Sequence, residues 1–182
     1  MGSWGFAAAR RHRRLVTRFA CDTIGIGSDH NGFELKQRVR AHLAERGERV
    51  HDFGCFSRQP VDYPDIAAAV ADAVRSGLIA RAILVCGSGL GMAIAANKVP
   101  GIYAVPVTDA HTARLARERN NAQIITLGAT VVRPALACTI VDAWLDARFR
   151  GGDSARKIEK IHALEQRHAP SAPLSAAGAL PW

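Results

Sequence analysis

Residues 82–98 read AILVCGSGLGMAIAANK, and their pattern indicates the class of fold. The five apolar residues 82–86 have the length and composition of a buried strand, and residues 91–98 have the spacing of a helix. Between them, Gly87, Gly89 and Gly91 allow a tight turn and a close approach of the backbone to a ligand. A strand, a glycine-rich turn and a helix in this order are typical of an α/β protein.

Strand and helix patterns alternate along the rest of the chain in the same way. Strands that alternate with helices pair in parallel through right-handed crossovers. We therefore predict a doubly wound α/β fold, with a five-stranded parallel sheet inside a three-layer αβα sandwich of the Rossmann-like type. The predicted strands cover residues 23–27, 48–53, 82–86, 103–107 and 124–127, and the predicted helices cover residues 33–46, 65–76, 91–98, 109–119, 134–147 and 155–167.

The composition predicts one globular domain with an extension at each end. The chain has 182 residues, of which 48% are hydrophobic, and we assign the domain to residues 23–167. Residues 1–22 hold five arginines and one aspartate, so they carry +4 of the net charge of +8. We expect them to form a disordered extension without function, the alternatives being a targeting peptide, a nucleic-acid arm or residues from an early start codon. Residues 168–182, which are rich in Ala, Pro and Ser, read as a loose tail.

Several absences favour a cytoplasmic protein. No apolar run reaches the roughly 18 to 20 residues that span a bilayer, and the N-terminus lacks the pattern of a secretory signal. The four cysteines lie far apart and form no CxxC pair, so we expect reduced thiols. Because residues 23–182 are only mildly basic, we expect no nucleic-acid partner and no membrane partner.

Three polar segments directly follow predicted strands. They are residues 28–32 after the first strand, residues 86–91 after the third and residues 108–109 after the fourth. In open α/β sheets, ligands bind beyond the carboxyl ends of the strands. We therefore expect the active site to be built from these segments.

The loop at residues 86–91 combines three glycines with a thiol. The N–H groups of such a loop, together with the dipole of the following helix, can converge on one negative oxygen, which predicts an anion site. These surroundings would lower the pKa of the Cys86 thiol and favour the thiolate. Cys86 as a small buried apolar residue fits the pattern equally well, and the residues alone leave both interpretations open.

A rival interpretation of the same glycines is dinucleotide binding. Asp109 lies 18 residues beyond Gly91, near the place of an acid that binds a ribose. The glycine spacing is GxGxG and not GxGxxG, however, and the loop follows the third strand, whereas the dinucleotide fingerprint normally follows the first strand of its unit. The pattern therefore favours this interpretation less.

Several short motifs together resemble one known family. They run in a single order from about residue 23 to residue 165 and join the strand-ending GSDHNGF to CGSGLG and AANK. In these motifs the chain is similar to the type B ribose-5-phosphate isomerases and the related galactose-6-phosphate isomerase subunits. The matching segments are residues 27–33 with Leu35 and Lys36, residues 62–64, residues 86–98, Asn120 and residues 141–145.

The resemblance implies a role for each matching residue. Cys86 would be the base that moves a proton between C1 and C2 of the open-chain sugar, and Ser88 would hydrogen-bond the reacting end. The loop N–H groups would face the enediolate, a kind of interaction that is usually a large catalytic effect. Asp29 and His30 could instead be a turn pair that caps the next helix. The implied substrate-binding residues are Asp29, His30, Tyr63, Gly87, Gly89, Leu90, Gly91 and Asn120.

The chain departs from the family pattern where the sugar ring opens and where the phosphate binds. Arg119 occupies the position of a ring-opening histidine, and an arginine keeps its proton, so it suits phosphate or hydroxyl binding instead. Thr130, Asp153 and Lys157 occupy the positions of three phosphate-binding arginines, and of these Lys157 alone keeps the charge. Arg133 and Arg156 are other possible sources of charge. A four-carbon sugar phosphate, which cannot close a five-membered ring, is therefore an alternative substrate to ribose 5-phosphate.

The resemblance also implies that the protein forms an oligomer and that it needs no cofactor. Family members place the site between two subunits, so we expect a homodimer or a dimer of dimers, with Arg156 and Lys157 acting across the interface. No cofactor is needed for isomerisation through an enediolate, and the histidines show no metal-ligand spacing. A non-catalytic module that binds a sugar phosphate or a nucleotide is the alternative function, since fold alone does not determine function.

Overall fold

The computed structural model describes residues 23–169, and all the predicted strands and helices are present in it. The elements form a single α/β sandwich, because the apolar strands pair with their neighbours in one sheet and the amphipathic helices cover it. The strands are β1 (Thr23–Ser28), β2 (Arg49–Asp52), β3 (Arg81–Cys86), β4 (Ala104–Pro106) and β5 (Ile124–Gly128). The helices are α1 (Phe33–Glu45), α2 (Tyr63–Arg75), α3 (Leu90–Ala96), α4 (Ala110–Asn120), α5 (Pro134–Asp146) and α6 (Asp153–His168).

The five strands form one parallel sheet in the order β2-β1-β3-β5-β4. The central strand β3 pairs Ile83 with Ile26 on one side and with Ile125 on the other. After β1 the chain moves outward to β2, and after β3 it moves to the opposite half of the sheet. The carboxyl ends of β1 and β3 therefore flank the point where the direction changes, which is where ligands bind in such sheets.

Helices cover both faces of the sheet, so the predicted three-layer sandwich is confirmed. On one face α1, α4 and α5 pack on alternate strand residues such as Ile83 and Val85. On the other face α2 and α3 pack on Leu84 and Cys86. Trp144 of α5 is fully buried, and its indole N–H donates to the Ala122 carbonyl at 3.3 Å.

The element bounds differ from the predictions in small ways that have local causes. Helix α2 begins at Tyr63 instead of residue 65, because Pro64 fits the first turn, where no N–H donor is needed. Strand β4 has three residues instead of five; it is an edge strand and ends at Pro106, which cannot donate to a sheet ladder. Helix α6 reaches His168, and within the described residues none of its side chains is buried.

The helices between residues 23 and 169 include none with the length and apolar character that crossing a membrane requires. The predicted basic extension lies outside the described residues, as does the predicted tail from residue 170 onward. The predicted domain boundaries therefore stay predictions.

Candidate active site

Cys86 is the last residue of β3, and its side chain is 5% exposed. The backbone N–H of Gly89 donates to the Cys86 sulfur at 3.1 Å. Gly89 has a φ of 82°, a left-handed conformation that side chains disfavour, and an added Cβ would lie 3.0 Å from the Leu127 carbonyl carbon. The turn therefore requires glycine, and it points a backbone N–H donor at the sulfur.

The outer part of the glycine-rich loop presents free donors. The Ser88 hydroxyl accepts the N–H of Leu90 at 3.3 Å. Within the described part of the chain, the backbone N–H groups of Ser88 and Gly91 have no protein acceptor. Ser88 is exposed, so these donors lie at the surface beside Cys86.

The carbonyl groups of the loop point away from the free donors and accept hydrogen bonds from β5 and the turn after it. Gly87 accepts both the backbone N–H of Thr130 at 3.0 Å and its hydroxyl at 2.9 Å. Gly89 accepts the Thr126 hydroxyl at 2.7 Å. Thr126 and Thr130 thus anchor the loop. The sequence alone does not indicate this role, because threonine is a common residue in and after strands.

The loop after β1 packs directly on the end of β3. Asp29 is 5% exposed, its backbone N–H donates to the Val85 carbonyl at 3.2 Å, and its Oδ1 accepts the Gly32 N–H at 2.8 Å. An added Cβ on Gly32 would approach the Val85 carbonyl oxygen to 2.4 Å, so the close packing depends on this glycine. Asp29 therefore closes the turn before α1, beside the Cys86 loop, but it does not cap the helix, whose N-cap Gly32 has no side-chain cap hydrogen bond.

His30 and Tyr63 lie on segments that border the same region. The His30 Nδ1 accepts the N–H of Val61 at 3.3 Å, and its Nε2 lies 3.2 Å from the side-chain nitrogen of Asn31. Tyr63 begins α2, and an added Cβ on Gly91 would lie 2.7 Å from its Cζ. The Tyr63 ring thus lies against the glycine-rich loop.

A buried ion pair supports this edge of the sheet. Lys36 is fully buried, and its Nζ donates to Asp52 Oδ1 and to the Cys55 carbonyl, each at 2.7 Å. Cys55 in turn donates its N–H to the Ser28 carbonyl at 2.7 Å. Lys36 belongs to the family motif, but its supporting role could not be derived from the sequence, because its partners follow it by 16 and 19 residues.

Asp109 caps helix α4. Its Oδ1 accepts the Thr112 N–H at 2.8 Å and its Oδ2 accepts the Thr112 hydroxyl at 2.9 Å. These hydrogen bonds hold the pKa of Asp109 below its ordinary value. Its carboxylate is thus engaged in the helix cap, which removes the support for Asp109 as a ribose-binding acid and with it the main argument for dinucleotide binding.

Arg119, Asn120 and Lys157 do not join Cys86 within one chain. Helix α4 begins beside the carboxyl end of β4 and runs back to Asn120; its 11 residues are about 16 Å long at 1.5 Å per residue. The next strand starts at Ile124, which pairs with Ala82 near the start of β3 and with Ala104 at the start of β4. Cys86 pairs with Gly128 at the far end of β5. Arg119 and Asn120 are exposed at the edge opposite Cys86.

Helix α6 lies at that opposite edge as well. Its Glu165 accepts the N–H of Gly101, which precedes β4, at 2.9 Å. The segment before α6 is held there too, since the backbone N–H of Arg150 donates to the Glu118 carbonyl at 3.0 Å. Lys157 therefore lies on an element remote from Cys86, whereas Thr130 lies directly beside the Cys86 loop.

In residues 23–169, no three His, Cys, Asp or Glu side chains are grouped so that they could hold a metal ion. Cys55, Cys86 and Cys138 are free thiols. The predicted chemistry thus rests on the thiol and the backbone donors around it.

Comparisons with known proteins agree with the motifs. The model of the Ribose/Galactose Isomerase family matches residues 24–161. The chain is 46% identical to ribose-5-phosphate isomerase B of Escherichia coli, over 79% of this chain and 97% of that protein. It is 45% identical to D-erythrulose-4-phosphate isomerase of Pectobacterium atrosepticum, over 80% of this chain and 96% of that protein.

A solved structure, that of ribose-5-phosphate isomerase B from Clostridium thermocellum, superposes with a TM-score of 0.80 at 49% identity. The superposition covers 81% of this chain and 99% of that one. The fold class and the family resemblance are both confirmed. With its fold and nearly the full length of these relatives in common, the chain belongs to the Ribose/Galactose Isomerase family of enzymes.

Proposed function

We propose that the chain interconverts the aldose and ketose forms of a sugar phosphate, ribose 5-phosphate or a close relative, with Cys86 as the base. The observation that carries the proposal is the position of Cys86: its sulfur accepts the Gly89 N–H at 3.1 Å beside the free N–H groups of Ser88 and Gly91. A thiolate held in this way is a suitable base for moving a proton between carbons. The non-catalytic alternative gives no reason to combine a thiol with the glycine-rich loop and its free donors.

The reaction balances without a cofactor. The Cys86 thiolate takes the proton from C2 of the aldose, the C–H electrons form the C1=C2 bond, and the carbonyl electrons move onto O1. The proton on O2 passes to O1, and the Cys86 thiol returns its own proton to C1 as the C2 carbonyl forms. The negative charge develops on oxygens, where prearranged N–H donors stabilise the transition state most strongly.

Further groups would bind the rest of the sugar. Asp29, His30 and Tyr63 lie around the Cys86 loop, and Ser88, which is exposed on that loop, would hydrogen-bond the reacting end. The backbone of the loop would contact the substrate beside Cys86, through Gly87, Gly89, Leu90 and Gly91. Because the base is a free thiol, we expect the enzyme to work in a reducing compartment, the cytoplasm.

We further propose that each site is shared between two subunits of a homodimer or a dimer of dimers. Arg119, Asn120 and Lys157 lie at the edge opposite Cys86, so they would reach the site of a second copy. Ile161 and Leu164 on α6 are 42% and 48% exposed, and apolar side chains grouped in this way commonly mark an interface. The second copy would bring the phosphate-binding charges.

A four-carbon substrate is the second candidate. Arg119 cannot act as a ring-opening acid, and Thr130 turns its hydroxyl inward to Gly87 instead of offering a charge. A tetrose 4-phosphate needs no such acid, because the oxygen that would close its ring carries the phosphate. The similarity to a relative named D-erythrulose-4-phosphate isomerase supports this candidate.

One assay tests both candidates. The purified chain is given ribose 5-phosphate, D-erythrose 4-phosphate and an aldohexose 6-phosphate, and kcat/KM for the ketose product is compared, with the Cys86→Ala variant as control. The larger kcat/KM identifies the substrate, provided that Cys86→Ala abolishes the same activity. No isomerisation of any sugar phosphate by the folded chain would refute the proposal.

A further inference from the structure

Thr126 makes an unusual contact for a residue in the middle of a strand. It is fully buried in β5, and its hydroxyl crosses to the neighbouring loop to donate to the Gly89 carbonyl at 2.7 Å. It lies between Ile125 and Leu127, which both pack on the other face of the sheet. The Thr126 side chain therefore lies on the face that also holds Cys86.

Gly89 is hydrogen-bonded to both Thr126 and Cys86, the proposed base. Its N–H donates to the Cys86 sulfur and its carbonyl accepts the Thr126 hydroxyl, so both of its polar backbone groups are held. The peptide group is planar and its N–H points away from its C=O. Holding the Gly89 carbonyl toward β5 thus turns the N–H of Leu90 away from β5, toward the open side of the loop.

Thr130 provides the same restraint two peptide groups earlier. Its hydroxyl and its N–H both hold the Gly87 carbonyl, which turns the N–H of Ser88 outward. The carbonyls on both sides of Ser88 are therefore tied to β5 and its following turn, and the intervening donors face the other way. The Thr126 bond differs in that it is made by a buried side chain alone.

We propose that Thr126 is a positioning residue for the isomerisation: its hydroxyl holds Gly89 so that the donors to the Cys86 sulfur and to the enediolate are in place before substrate binds. This inference rests on the proposed roles of Cys86 and the loop. Thr126 transfers no proton and is separated from the substrate by the loop. Its effect belongs to the transition state, since misplaced donors stabilise developing charge less than prearranged ones.

The test is Thr126→Val, which keeps the side-chain shape and removes the hydroxyl. Gly89 still accepts the N–H of Ala93 at 3.4 Å, so its carbonyl keeps a partner and we expect the variant to fold. We expect kcat to fall by about 10- to 100-fold, the loss typical of small misplacements at a site, while KM changes by less than about threefold. Thr126→Ser, which restores the hydroxyl, should return kcat to within about threefold of the wild type.

Thr139→Val is the matched control. The Thr139 hydroxyl also donates to a backbone carbonyl, that of Ala135 at 3.2 Å, but it does so within α5. This variant should keep wild-type kcat. Melting curves of all variants confirm that the assayed proteins are folded, and if Thr126→Val does not fold, Thr126→Ala is assayed against the same criteria.

The outcomes separate this inference from the function on which it rests. If Cys86→Ala loses activity but folded Thr126→Val keeps more than half of wild-type kcat, the positioning role is refuted and the base remains. The positioning role is also refuted if the loss of activity in Thr126→Val comes from a higher KM and not from a lower kcat. A Thr126→Ser variant with a kcat as low as that of Thr126→Val refutes it as well. If Cys86→Ala itself keeps wild-type turnover, the proposed base is wrong.

Discussion

Gly89 donates its backbone N–H to the Cys86 sulfur across 3.1 Å. The donor and the acceptor are three residues apart, and the bond forms because Gly89 adopts a φ of 82°. The conformation that turns the chain from β3 into α3 is thus the same one that gives the thiol its hydrogen bond. The shape of the turn and the reactivity of the proposed base are consequently linked.

The first prediction concerns Cys86→Ala, which removes the proposed base and leaves the loop donors in place. We expect kcat to fall by about 10²- to 10⁴-fold, the usual contribution of a general base, with substrate binding little changed. Steady-state kinetics on the folded variant measures both. More than about a tenth of wild-type turnover, far above the range for a lost general base, would show that another group is the base.

Alkylation gives the matched control for that experiment. Iodoacetamide should inactivate the enzyme at Cys86, and substrate should protect it. Burial raises the pKa of the Cys138 thiol, so this residue stays protonated and should react more slowly. Cys138→Ala should therefore keep both the activity and the sensitivity to iodoacetamide.

The second prediction compares Gly89→Ala with Gly77→Ala. Both glycines have a positive φ, of 82° and 75°, but a Cβ at residue 77 meets nothing within 4 Å, whereas one at residue 89 meets Leu127. Gly77→Ala should lower the free energy of unfolding by about 1 to 2 kcal/mol, the cost of the left-handed conformation, and keep activity. Gly89→Ala should cost more and abolish turnover. Chemical denaturation and kinetics measure the two effects, and equal losses would mean that packing against β5 contributes nothing.

The third prediction concerns Arg119→His. A histidine exchanges its proton near neutral pH and an arginine does not, so the variant should gain activity on ribose 5-phosphate relative to D-erythrose 4-phosphate. The ratio of the two kcat/KM values is the measurement, and Arg114→His on the same helix is the control. An equal effect on both substrates would exclude a role in ring opening.

The fourth prediction tests the shared site by mixing two inactive variants, Cys86→Ala and Asn120→Ala. In a mixed dimer one site receives both substitutions and the other receives neither. Random exchange of subunits should therefore restore about a quarter of wild-type activity, since half of the dimers are mixed and each has one intact site. The assay follows activity after the two variants are unfolded and refolded together. Mixtures as inactive as the separate variants would place the whole site within one chain.

The fifth prediction concerns pH and the Asp109 cap. Hydrogen bonds from Thr112 lower the folded-state pKa of Asp109, so the cap stabilises fully above about pH 4, the ordinary aspartate value, and is lost as the pH falls through the lower folded-state pKa. The Tm difference between wild type and Asp109→Ala should be constant at neutral pH and shrink in acid. Asp62→Ala is the control, since Asp62 precedes α2 but makes no side-chain cap bond. A difference that grows in acid would contradict the assignment.

Much of the fold could be predicted because its signals are local. Alternating apolar runs and helical spacing located all the strands and helices, and the glycine-rich loop indicated the end of the sheet at which we place the candidate site. The position of β5 between β3 and β4 was not predictable, because strand order depends on contacts between residues distant in sequence. The burial of Lys36 was missed for the same reason: its charge is compensated by Asp52, in another strand.

The residues of the candidate site that belong to a sequence motif could be predicted. The residues that support the site from other parts of the chain could not. The motifs indicated Cys86, Asp29 and His30, and the structure brings their loops together. Thr126 escaped notice because a threonine in a strand usually reflects β propensity alone. The opposite position of Asn120 follows from the direction of α4, which a list of motif residues does not convey.

Because Cys86 and Asn120 lie at opposite edges of one sheet, the shared site that we propose makes a catalyst that exists only while two chains are associated. Its specific activity then depends on the total protein concentration, as mass action requires. At concentrations where dimers dissociate, the number of active sites rises with the square of the amount of chain, so doubling synthesis gives more than twice the flux. A substitution at the subunit contact would then lower turnover in dilute assays and be rescued simply by adding more enzyme.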